Sequence, residues 1–103
     1  MGNPFAGEVS LVIDGQRHVC KLTLGALAEL EAELESEGIV DLVERFEAGG
    51  FRAGDVMALV VAGLRGGGWQ GRWADLLTAE IEGGPVGAAK AAAALLARAF
   101  SQP

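Results

Sequence analysis

Nine consecutive residues, 56–64, carry neither a charge nor a polar side chain. Coiled as a helix, such a run is apolar on every side, which an ordinary half-exposed surface helix is not. It is either the central helix of a domain, walled in by other elements, or a face awaiting a partner. At nine residues it falls far short of the ~20 that span a bilayer. The chain has 103 residues, enough for one core and too few for two, so the wall has to come from the sequence on both sides of this run.

Upstream, residues 1–7 contain Asn3, Pro4 and Gly7 and read as a flexible arm. Val9, Leu11 and Ile13 then alternate with Glu8, Ser10, Val12 and Asp14, the period of a strand with one buried face. Asp14-Gly15 is a hairpin signal, because a type I′ turn needs positive φ and these two residues tolerate it. The hairpin is expected over 8–22, with Arg17 to Leu22 as its return strand. Helices are expected from 23 to 100. Thr23 can cap the first, in which Leu24, Leu27, Leu30 and Leu34 share a stripe, and Gly38 can stop it. A second helix turns Ile39, Leu42, Val43 and Phe46 inward and closes at Gly49-Gly50.

Asp55 leads the apolar helix, and the glycines at 66–68 read as a flexible connector. Trp73 to Glu82 reads as a short fourth helix held by Leu76, Leu77 and Ile81. Gly83-Gly84 ends it, and Pro85 suits the first turn of a last, alanine-rich helix. On that helix Val86, Ala89, Ala93, Leu96 and Phe100 share one face, and residues 101–103 fray. The expected architecture is α+β: a single domain over 1–103, with an N-terminal β-hairpin followed by about five short helices.

The formal net charge is −6, and two lysines and six arginines are the whole basic supply. That balance argues against direct nucleic-acid binding, which needs concentrated Lys and Arg. No basic stretch followed by an apolar run opens the chain, so no signal peptide is expected, and no membrane association either. The single cysteine, Cys20, excludes an intramolecular disulfide and suits a reducing cytoplasm.

His18 and Cys20 fall on one face of a predicted strand, but zinc needs about four ligands and a nucleophilic dyad needs an orienting third group. The 66–68 glycines lack the Lys-Ser/Thr of a phosphate-binding loop. At residues 83–85 a helix stop followed by a helix start accounts for the glycines as well as an anion site does. No catalytic residue, metal ligand or cofactor is expected, and the chain reads as a non-enzyme.

Two features fit protein binding. Glu29, Glu33 and Glu37 repeat at i, i+4, where like charges repel in an isolated helix. A solvated helix face explains them, and a docking face for a basic segment is the sharper reading. Trp69 and Trp73 are also four apart; they either plug the core or form an exposed anchor. The candidate binding residues are therefore Trp69, Trp73, Glu29, Glu33 and Glu37.

Several stretches together resemble a known family. They are Asn3-Pro4-Phe5 with Gly7-Glu8, the run Leu22 to Glu31 (LTLGALAELE), Glu44 to Gly49 (ERFEAG), Ala62 to Gly68 (AGLRGGG), and Glu80 to Pro85 (EIEGGP) leading into the alanine-rich helix. In this order and spacing they are similar to the small tail proteins encoded in gene transfer agent clusters, phage-like particles that package host DNA. The resemblance implies one of two roles. One is a tail assembly chaperone, attending the tape-measure protein and working in the bacterial cytoplasm. The other is a structural tail tube component of the particle, of a gene transfer agent or a related prophage. Partners would be tail proteins, the tape-measure protein first and the tube protein second, and homo-oligomers stay open. A tube subunit builds rings through large sheets, and two strands are too little sheet for that, so the chaperone is favoured. A small-molecule binder or enzyme is the remaining alternative.

Overall fold

The computed structural model describes residues 7–34 and 38–100. The two proposed terminal segments, apart from Gly7, and residue Glu37 lie outside the described residues. Strand β1 (Glu8–Ile13) and strand β2 (Gln16–Lys21) form an antiparallel hairpin in which Ile13 pairs with Gln16 and Glu8 with Lys21. Asp14 and Gly15 make the turn with φ of 50° and 80°. A tight two-residue turn of this hand fixes the register, and the register puts Val9, Leu11, Ile13, His18 and Cys20 on one face. Leu11, Ile13 and Cys20 are buried there and His18 is half-buried.

Among the described residues five helices follow: α1 (Leu24–Leu34), α2 (Gly38–Ala48), α3 (Ala53–Gly66), α4 (Trp73–Leu77) and α5 (Gly84–Ala99). The apolar run lies in α3, and residues 58–64 are all buried. β2, α1 and α5 pack around it, so it is the central helix of the domain. Thr23 caps α1 as its position suggests, its Oγ1 accepting from the Ala26 N–H at 3.1 Å. The ring of Phe46 stacks on that of Phe51 with centroids 4.5 Å apart, tying the end of α2 to the approach of α3.

The glycines at 66–68 are not a loose connector. A Cβ on Gly66 would fall onto the Lys21 carbonyl oxygen, and one on Gly67 onto that of Val19. The hydrogens that stand there instead point at those carbonyls, a weak Cα–H···O arrangement. Helix α3 can therefore lie against strand β2 backbone to backbone. Gly68, at φ 103°, then reverses the chain: its N–H donates to Arg65 and that of Trp69 to Leu64, which satisfies the last carbonyls of α3.

Three other expectations need correction. Helix α4 ends at Leu77, not Glu82, because residues 80–82 are drawn to the free edge of β1. Ile81 bridges Ile13, the Asp14 N–H donates to Glu80 O at 2.8 Å, and the Glu82 N–H donates to Val12 O at 2.9 Å. The Asp14 carboxylate also accepts from the Glu80 N–H at 2.9 Å. On α1 the core face is Ala26 and Leu30, with Leu27 and Leu34 half-buried beside them, while Leu24 is 84% exposed. On α5 the buried face is Ala88, Ala91, Ala92, Leu95 and Leu96, so of the five residues grouped in the sequence only Leu96 is buried. Alanine is apolar on all sides of that helix, and periodicity alone cannot choose between its faces.

Candidate functional site

Cys20 is fully buried at the back of β2, with its Cβ against the α3 backbone at Gly63. Burial pushes its thiol up to about 11, so it stays protonated at neutral pH and is a poor nucleophile. Among the described residues no three of His, Cys, Asp and Glu gather where they could hold a metal ion. No helix among them is long and apolar enough to cross a membrane.

The candidate binding residues divide into two groups. Glu29 and Glu33 stand one turn apart on α1, along a trough between α1 and α3 that Trp73 bounds. Its floor is Leu30 from α1 with Ala58, Val61 and Ala62 from α3, and the hollow measures about 240 Å³. A second hollow of about 400 Å³ shares Glu33, Ala58 and Trp73 and runs on toward Leu34 and Gly54. Arg65 reaches Glu29 at 3.9 Å across one end. Trp73 is held in place by its position as the first residue of α4, whose start is fixed by the Arg72 N–H donating to the Asp75 carboxylate at 2.8 Å. It is 37% exposed.

Trp69 is elsewhere. It is half-buried against the core, with its ring over Gly71, where a Cβ would strike it. The two tryptophans take different positions because residues 67–72 are not helical, so their i, i+4 spacing puts them on no common face. The α3 side of the trough falls in the 56–64 run left open as a partner face and its neighbour Arg65, none of them among the candidate binding residues. Its signal was available in Ala58, Val61, Ala62 and Arg65, which recur at helical spacing along one face.

A buried ion pair stands at the far end of α3. Asp55, 5% exposed, accepts from Arg45 Nε at 3.1 Å, Arg45 Nη2 at 2.9 Å and the Arg52 N–H at 2.8 Å. Burial pushes its carboxyl up, but the hydrogen bonds and charges of Arg45 and Arg52 outweigh that and hold it below the ordinary value. This pair fixes α2 to the start of α3 and stands behind the second hollow, which Asp55 and Arg52 both line. A separate apolar hollow of about 330 Å³ lies between α2 and α5, lined by Val43, Phe46, Leu96 and the half-exposed Phe100.

A family model described as "Phage tail tube protein, GTA-gp10" matches residues 6–102. No curated protein and no solved structure gives a significant match.

Proposed function

This chain belongs to the family of phage tail proteins described as GTA-gp10, and on that premise we propose that it is a tail assembly chaperone that holds the tape-measure protein while a gene transfer agent or prophage tail is built. The observation that carries this reading is the state of the sheet edges. Val12 turns its carbonyl outward to Glu82, and its partner across the hairpin is Arg17. Backbone groups alternate in direction along an antiparallel pair, so on β2 it is Arg17, Val19 and Lys21 that face outward. Gly66 and Gly67 lie against the carbonyls of two of these, while Ile81 and its neighbours occupy the end of the β1 edge next to the turn. A ring that grows by pairing sheet edges would need those groups free.

The same reading makes the chain a non-catalytic protein of the cytoplasm, acting before the particle is complete. A second reading, a structural tail tube component, is favoured by the family's own description. Co-expression tests the first. The tape-measure protein is expected to stay in the soluble fraction and co-elute with this chain through size exclusion. A tape-measure protein that is equally soluble alone and elutes apart from it would count against the chaperone.

A further inference from the structure

We propose that the α1–α3 trough takes an amphipathic α-helix of a partner protein, with an aliphatic side chain in the hollow beside Trp73 and basic residues one turn apart facing Glu29 and Glu33. That the partner is a tail protein rests on the chaperone reading; the chemistry of the occupant does not. Helix α1 carries Glu29, Glu31 and Glu33 and no Lys or Arg. Like charges one turn apart repel, and a cation brought between them relieves the repulsion. Arg65 does this only loosely for Glu29, at 3.9 Å, and among the described residues Glu33 has no ion-pair partner.

The shape suits a helix. From Gly54 to Arg65 the α3 bank of the two hollows spans roughly 16 Å at the helical rise. A trough between two helices is the usual seat for a third, read by apolar anchors at i, i+3, i+4 and i+7. An added strand has poorer prospects, since both sheet edges are partly occupied. Trp73 supplies the rigid, partly exposed aromatic on which such anchors depend.

The test uses the full chain labelled with nitrogen-15 and a synthetic amphipathic peptide with leucines at those four spacings and lysines on the flanks. The Trp73 indole signal and the amides of 58–65 are expected to shift. Affinity should fall about tenfold in Trp73→Ala, as for an anchor residue. It should also fall in the Glu29→Lys/Glu33→Lys variant, most clearly at low salt, where exposed charges are least screened. Ala32→Leu, an exposed position lining the hollow, should block binding while the fold persists. Shifts confined to the α2–α5 hollow, equal binding of a glutamate-flanked peptide, or a Trp73 signal that moves with protein concentration alone, as in self-association, would each overturn the proposal. If Trp73→Ala and Ala32→Leu still co-elute with the tape-measure protein, the trough is the wrong site and the chaperone reading stands. If the peptide binds but the wild-type chain does not co-elute, the reverse holds.

Discussion

Gly66→Ala is expected to destabilise the protein by about 3 kcal/mol or more, the upper end of what overpacking costs. The added methyl would meet the Lys21 carbonyl oxygen, which is backbone inside a hydrogen-bonded hairpin and cannot swing aside as a side chain can. Relief requires α3 to withdraw from β2, and α3 is the helix around which the core is built. Against a total stability on the order of 5–15 kcal/mol, that is a large share. Gly67→Ala, against the Val19 carbonyl, should act in the same direction, and the two should not add, because either one already forces the same withdrawal. Gly50→Ala is the control: its Cβ would meet nothing within 4 Å, so its effect should stay within about 0.5 kcal/mol. Urea midpoints at an unchanged slope measure all three. A Gly66→Ala variant as stable as wild type would mean that α3 and β2 are not in backbone contact.

The second large effect is expected at the buried ion pair. Arg45→Met leaves the Asp55 carboxylate buried without two of its three hydrogen bonds, a change that costs about 3 kcal/mol for a pair of this kind. The pH dependence should identify the cause. In the wild type the Asp55 carboxyl lies below its ordinary value, so the stability it contributes is complete above about pH 4 and is lost as pH falls through the depressed folded value. In Arg45→Met the hydrogen bonds and charge of Arg45 no longer oppose burial, so the folded carboxyl is depressed less than in the wild type and the variant loses less in acid. The two stability curves should therefore converge below about pH 4. A gap that stays constant down to pH 3 would assign the cost to lost packing of the arginine stem instead.

Features set by neighbours in sequence were legible before the structure. Asp14-Gly15, Thr23 and Pro85 act within a few residues of themselves, and each does what its local chemistry suggests. The 56–64 run could be narrowed to a central helix or a partner-seeking face because no ordinary surface helix is apolar all round; its packing against β2, α1 and α5 makes it the central helix, and one side of it floors the trough. What escaped was non-local. Helix α4 stops short because Ile81 pairs with Ile13, 68 positions away, and no helical pattern at 73–82 reveals that competitor. The 66–68 glycines looked like slack because the carbonyls of Val19 and Lys21, which require them, lie more than forty residues upstream.

The candidate site was half legible for the same reason. Glu29, Glu33 and Trp73 converge on one trough, while Trp69 goes to the core side, since whether residues 67–72 continue a helix decides whether the two rings meet. The Arg45–Asp55 pair gave no sequence signal beyond a helix-leading aspartate. Its arginine comes from the preceding helix, ten positions earlier.

On the chaperone reading this chain assists tail assembly and is not itself a repeated part of the tail. Quantitative mass spectrometry of purified particles, with the major tail protein as internal standard, separates this from the structural reading. The chain is expected to be absent from them, or present at a small fraction of one copy per tail ring, though abundant in the lysate of assembling cells. Recovery from intact particles in a whole-number ratio to the ring subunits would overturn the chaperone and establish the structural reading.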